Sequence, residues 1–90
     1  MSATPPFVVI AEFRVKPGRL DAFLAAAEDD ARRSVADEPG CRRFDVIVGE
    51  GDGRSVVFYE VYDDRAAFDY HWARILADGK GLVNNYAFFL

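Results

Sequence analysis

Apolar residues in this 90-residue chain switch from every second position to helical spacing and back, twice over. That order of periods constrains the fold more than any other feature. From Phe7 to Val15 the side chains alternate. Phe7, Val9, Ala11, Phe13 and Val15 share one face, and Val8 and Ile10, followed by Glu12 and Arg14, take the other. Period two marks a strand, and the first half of this one is apolar on both faces. Pro17-Gly18 punctuates a turn, after which the period changes. Leu20, Phe23, Leu24, Ala27, Ala31 and Val35 fall on one helical stripe. A helix is predicted from Arg19 to about Ala36. A proline near the first helical position favours its start. Pro39-Gly40 stops it, because Glu38, the residue before proline, is pushed out of the helical region.

Cys41 to Val48 reads as a second strand, with Phe44, Val46 and Val48 alternating with Arg43, Asp45 and Ile47. The Gly49–Gly53 segment is a turn-rich loop. Ser55 to Tyr62 follows as a third strand, with Val57, Tyr59 and Val61 on one face and Val56, Phe58, Glu60 and Tyr62 on the other. Two strands across a short Gly-rich loop form a hairpin. Asp63 or Asp64 can cap a second helix. Its stripe is Phe68, His71, Trp72, Ile75 and Leu76, and it ends near Asp78-Gly79. Leu82 to Leu90, aromatic and β-rich, reads as a last strand. The order β-α-β-β-α-β is the ferredoxin-like split arrangement, an α+β fold with a four-stranded antiparallel sheet. Residues 1–6 are expected to be a mobile lead-in, and residues 7–90 one domain without repeats or a linker.

Two helices cover one face of such a sheet and leave the other bare. The chain is 51% hydrophobic and 14% aromatic, enough for a core, and a domain this small buries only about 60–65% of its unfolded surface. An exposed apolar face marks an interaction site, and an identical copy around a two-fold axis is the simplest partner. A homodimer is therefore expected; the alternative is a monomer with an aromatic-lined binding face. The net charge of −4 argues against nucleic acid, and the pairs Arg32-Arg33 and Arg42-Arg43 read as solvated surface. The N-terminus has no leader pattern, and no apolar run approaches the ~18 residues of a membrane span. A soluble, cytoplasmic protein without a membrane partner is the expectation.

His71 is the only histidine, and histidine alone exchanges protons near neutrality without perturbation. Glu60 is a carboxylate in an otherwise apolar strand, and a buried carboxylate needs a partner. A Glu60–His71 hydrogen bond would satisfy both. The pair is then either a base that deprotonates a phenol or hydroquinone or a structural tie between the third strand and second helix. Tyr59, Tyr62, Trp72, Tyr86 and Phe88 are candidates to line a pocket for a flat aromatic substrate, with core packing as the alternative for each. Asn84 and Asn85 suit a turn or an amide contact to substrate. One His, one Cys and no clustered carboxylates are too few ligands for a tetrahedral metal site, so no metal is expected. Cys41 has no companion for catalysis. Gly49, Gly51 and Gly53 lack the helix and lysine of a phosphate loop.

Three stretches resemble the antibiotic biosynthesis monooxygenase family of dimeric α/β barrels. They are Val15-Lys16-Pro17-Gly18-Arg19-Leu20-Asp21-Ala22-Phe23, then Glu38-Pro39-Gly40-Cys41-Arg42-Arg43-Phe44, and then Tyr59-Glu60-Val61-Tyr62 continuing through Asp63 and Ala67-Phe68 to His71. The resemblance runs from about Phe7 to His71. The tail departs from it, with a shorter segment before the last strand. The resemblance implies a dimeric α/β barrel that oxidises a quinol or polycyclic phenol with O2 and without cofactor. In the chemistry so implied, the protein would deprotonate the substrate in a dry pocket, with His71 as the candidate base, and support the anion electrostatically. Relatives also isomerise small metabolites; a phosphorylated substrate there would call for an inward basic residue, with Arg14, Arg43 and Arg74 as candidates. Haem degradation fits less well, for lack of a second histidine. An interaction module is a third reading, since the same topology serves RNA-binding domains, though net charge opposes it.

Overall fold

A computed structural model describes residues 5–51 and 53–78, together with the backbone alone of Ala87–Phe89; the side chain of Asp78 also lies outside the described set. The elements are β1 (Phe7–Val15), α1 (Leu20–Asp37), β2 (Cys41–Val48), β3 (Ser55–Tyr62), α2 (Arg65–Asp78) and β4 (Ala87–Phe89). They form an antiparallel sheet in the order β2-β3-β1-β4, which is the ferredoxin-like arrangement that the alternating periods predict. The last strand is described over Ala87–Phe89, where Phe88 pairs with Arg14. The remainder of the expected strand, with Tyr86, Asn84 and Asn85, lies outside the described residues, as does most of the expected lead-in.

β1 and β3 pair along their whole length, Val9 opposite Glu60 and Ala11 opposite Phe58. Phe44 faces Glu60 from the other side. One sheet face therefore carries Ala11, Phe13, Val15, Phe44, Val56, Phe58 and Tyr62, all buried. Phe58 sits at the centre, its ring 4.6 Å from Phe13, 5.3 Å from Phe44 and 5.9 Å from Phe23 of α1. Burying an aromatic of this size contributes about 1.5–3 kcal/mol, so this cluster dominates the core.

The turn before α1 differs from the expectation in one respect. Arg19 N–H donates to Lys16 O (3.0 Å), and Gly18 has φ +74°. Pro17 thus holds the second position of a turn that needs glycine at the third, and lies ahead of the helix rather than in it. α1 packs through Phe23, Ala27, Ala31 and Ser34. The small alanines let it approach the sheet closely. The expected stripe slips at its end, since Val35 is exposed and Ser34 is wholly buried. Polar contacts to α2, described below, draw Ser34 inward.

α2 is capped by Asp64, whose Oδ1 accepts from the Ala67 N–H at 2.9 Å; Asp63 instead pairs with Arg42. Phe68 packs between Phe7, tilted, and Tyr62, edge-on, with centroids 5.6 and 5.5 Å away. Bulky Phe68, His71 and Trp72 hold this helix off the sheet. Leu76, expected on the inner stripe, is 63% exposed. A gap is left between α2 and β1, and it forms the site.

Among the described residues, no element covers the opposite face of the sheet. Val8, Ile10 and Ile47 are exposed there, beside half-buried Val57, Tyr59 and Val61.

Candidate active site

The gap is a cavity of about 380 Å³, within the roughly 300–1,000 Å³ usual for small-molecule sites. Its floor is Val9, Ala11 and Phe13 of β1 with Phe58 and Glu60 of β3. Phe68, Trp72 and Ile75 of α2 form its wall, with His71 among them. Asp30, Arg65 and Asp69 complete the lining. Arg65 is committed to Asp69 at 3.2 Å and lies over the Phe7 ring.

The expected Glu60–His71 hydrogen bond is not made; each side chain has another partner. His71 Nδ1 lies 3.0 and 3.1 Å from the two carboxylate oxygens of Glu38, and 3.3 Å from Ser34 Oγ. Glu38 is the C-cap residue of α1. A carboxylate at a helix C-terminus opposes the helix dipole, and a buried one needs compensating donors. Both come from α2. Arg74 donates through Nε to Glu38 Oε2 at 2.6 Å, and through its terminal nitrogen to Asp30 Oδ1 at 3.3 Å and Ser34 Oγ at 3.0 Å. Ser34 Oγ in turn donates to Asp30 Oδ1 at 3.3 Å. Burial raises the Asp30 carboxyl above its ordinary value, against the lowering pull of His71 and Arg74.

This network fixes the imidazole. A carboxylate only accepts, so neutral His71 carries its proton on Nδ1, and its lone pair is on Nε2. No hydrogen bond among the described residues engages Nε2, and the residue lines the cavity. The ring is also held at 5.7 Å from Phe44 and 5.5 Å from Tyr62. The result is an imidazole held in one orientation beside a largely apolar cavity.

Glu60 is 5% exposed and accepts a hydrogen bond from the Tyr62 hydroxyl at 2.5 Å. Burial raises its carboxyl above the usual 4.5. Tyr62, an expected pocket residue, is wholly buried behind the cavity. Burial and the hydrogen bond to Glu60 push its hydroxyl upward, so it stays a donor. Of the expected aromatic lining, Trp72 faces the cavity. Tyr59 does not: it neighbours Glu60 in a strand and so points to the bare face, where Arg43 lies over its ring at 5.5 Å. Arg43 is thereby placed away from the cavity, and Arg74 is held in the network. The side chains of Tyr86 and Phe88 lie outside the described residues.

The sequence of residues 6–74 matches the family described as antibiotic biosynthesis monooxygenase. The chain belongs to the antibiotic biosynthesis monooxygenase family. An uncharacterised protein of Synechocystis is 36% identical to it over 70 residues, a match covering 78% of this chain and 47% of that protein. A solved structure from Nitrosomonas europaea, described as a candidate antibiotic biosynthesis monooxygenase, superposes with TM-score 0.69 at 32% identity, covering 73% of this chain and 62% of that one. Protein PA3566 from Pseudomonas aeruginosa superposes with TM-score 0.82 over 98% of this chain and 89% of its own, at 21% identity, a likeness of fold. The chain thus spans under half the length of the Synechocystis relative and about three fifths of the Nitrosomonas one.

Within this monooxygenase-family domain, Glu38 is the site residue that sequence reasoning missed. The available signal was a carboxylate at a helix C-terminus, where the dipole disfavours it unless it is paired. Cys41 is buried, and burial pushes its thiol up to about 11, so it is not a nucleophile near neutrality. Among the described residues no group of three or more His, Cys, Asp and Glu side chains is placed to hold a metal ion, and no helix is long and apolar enough to cross a membrane.

Proposed function

We infer that the protein is a cofactor-independent monooxygenase acting on a quinol or polycyclic phenol. The observation that carries this reading is the orientation of His71. Its Nδ1 is tied to buried Glu38, and its Nε2 is left as a base beside an apolar cavity. A phenolic hydroxyl bound there loses its proton to Nε2. Glu38 stabilises the imidazolium that forms, as a buried carboxylate does in hydrolytic triads. The electron-rich phenolate then reacts with O2, and the apolar walls of Phe13, Phe58 and Phe68 keep water from quenching the anion. Glu60 is a further polar group, in the cavity floor. The protein acts as a homodimer through its bare sheet face, and as a cytoplasmic enzyme.

Oxygen uptake by metal-free protein, given a panel of hydroquinones and anthrones, tests the reading. Uptake should depend on protein and fall about 10²-fold or more in His71→Ala, the usual contribution of a general base. Uptake no faster than the spontaneous rate with every substrate overturns it. The same base would then point to non-oxidative proton transfer, such as isomerisation of a small metabolite.

A further inference from the structure

Glu60 differs from Glu38 in its company. Glu38 holds an arginine and a histidine, whereas Glu60 has only the Tyr62 hydroxyl, which donates to Oε1. Oε2 makes no hydrogen bond among the described residues, yet no buried polar side-chain atom there is without a partner. Oε2 is therefore not sealed in the core; it opens on the cavity that Glu60 lines. The titratable groups around it are Tyr62 on β3, Cys41 on β2, His71 on α2, Asp30 on α1 and Glu38 at the α1 C-cap. Its register neighbours, Val9 on β1 and Phe44 on β2, bring no charge. Ionised, Glu60 would be a nearly buried anion near two further carboxyls with no cation bonded to it, an arrangement that proteins avoid by keeping the group neutral.

We propose that Glu60 presents an un-ionised carboxylic acid to the cavity and donates a hydrogen bond from Oε2 to a carbonyl oxygen of the ligand. The site thereby selects uncharged aromatic ketones and quinones over carboxylates and phosphates. Burial acts in the same direction, raising the Glu60 carboxyl. So does the rest of the lining. Arg65, the lining arginine, is paired with Asp69, and Asp30 is paired with Arg74, so neither arginine is open to an anionic ligand. The inference rests on the reading of this cavity as the ligand site, and it adds Glu60 as the residue that sets ligand specificity. With His71 as acceptor and Glu60 as donor, the wall recognises a ring bearing both a hydroxyl and a carbonyl.

Trp72 is the single tryptophan and lines the cavity, so its indole N–H resonance in 15N-labelled protein reports binding. Three probes of one size are titrated: 1-acetonaphthone, naphthalene and 1-naphthoate. The ketone should bind about fivefold or more tighter than naphthalene, the worth of one hydrogen bond, and the carboxylate weakest. Glu60→Gln, whose amide still donates, should keep the preference for the ketone. Glu60→Leu should lose it while its circular dichroism matches the parent. In the parent the preference should fade as rising pH ionises Glu60; in Glu60→Gln it should persist. Equal affinity for ketone and carboxylate, or a ketone preference retained in Glu60→Leu, overturns the proposal alone. No saturable shift with any probe removes the cavity as a ligand site, and both readings with it. A ketone preference without oxygen uptake on any substrate leaves the proposal standing and removes the oxygenase.

Discussion

Nδ1 of His71 lies 3.0 Å from Oε2 of Glu38, and the two side chains are 5% and 2% exposed. The contact joins the end of α1 to the middle of α2 across 33 positions of sequence. Arg74, one turn beyond His71, reaches the same carboxylate. One side chain therefore does two things. It anchors α2 to the end of α1, beside the cavity. It also sets which imidazole nitrogen faces that cavity.

Replacing Glu38 should disturb both roles. Glu38→Gln keeps the shape but removes the charge that Arg74 and an imidazolium need. The loss of a charged hydrogen-bond partner in a buried site costs about 1–3 kcal/mol, which lowers the melting temperature by about 4–8 °C per kcal/mol in a domain of this size. Oxygen uptake should fall about tenfold or more, part of the 10²–10⁴ ascribed to a general base. Unchanged uptake in a folded variant would show that Glu38 anchors the helix without orienting the base.

The Glu60 carboxyl makes stability depend on pH. Burial raises it above the 4.5 expected of an unfolded chain, so the folded state holds a proton that the unfolded state has released. Its contribution is complete below the unfolded value and is lost as pH rises through the folded one. The loss is about 1.4 kcal/mol for each unit by which the two differ. Asp30, raised above 3.8, adds a slope of the same sign. Urea unfolding followed from acid to neutral pH should show a steeper decline in the parent than in Glu60→Gln. Parallel curves would mean that Glu60 is ionised in the fold.

The strands were legible because period two leaves little choice. Phe7–Val15 ends one residue short of Pro17, Cys41–Val48 ends at Gly49 and Ser55–Tyr62 ends at Asp63. The same period already opposes Tyr59 to Glu60, so a pocket role for both conflicts with the pleat. The helices were less legible at their ends. Val35 is apolar and takes the stripe on hydropathy, but Ser34 is the residue with partners on α2. The partner of His71 was hidden for a related reason. Glu38 reads locally as the residue that ends α1, and nothing in its neighbourhood reveals that α2 brings a histidine and an arginine to it. Contacts between helices follow tertiary packing, which periodicity does not encode.

Gly40 shows how closely that packing is drawn. A Cβ built on it would collide with the Cβ of Ala67 in the first turn of α2, while its carbonyl accepts from the Asp63 N–H at 2.8 Å. The turn after Glu38 is thus pinned under the start of α2. Gly40→Ala should force the two apart, at the about 1–3 kcal/mol typical of overpacking, and shift the Trp72 indole resonance as α2 moves. Gly18→Ala offers a contrast, since nothing lies within 4 Å of a Cβ there and only the φ of +74° is strained. It should destabilise without moving the Trp72 signal. A Trp72 shift of equal size in both variants would separate that signal from the packing of Gly40.

The bare sheet face sets the last prediction. Ile10 is 63% exposed and pairs with Tyr59 across the strands, with Val8, Val57, Val61 and Ile47 around them. The charged groups on this face are Glu12 and Arg14 of β1, one of each sign, and Arg43 and Asp45 of β2, bonded to each other at 2.7 Å. They therefore present a neutralised rim around an apolar centre, the anatomy of an interface between two proteins. A two-fold axis through this face would bring each Ile10 near its copy. Ile10→Lys would then place like charges in a desolvated contact. Light scattering should give twice the chain mass for the parent and the single chain mass for the variant, with the circular dichroism of the two alike, because Ile10 takes no part in the core around Phe58. A parent that scatters as one chain at every concentration would leave the face to a different partner.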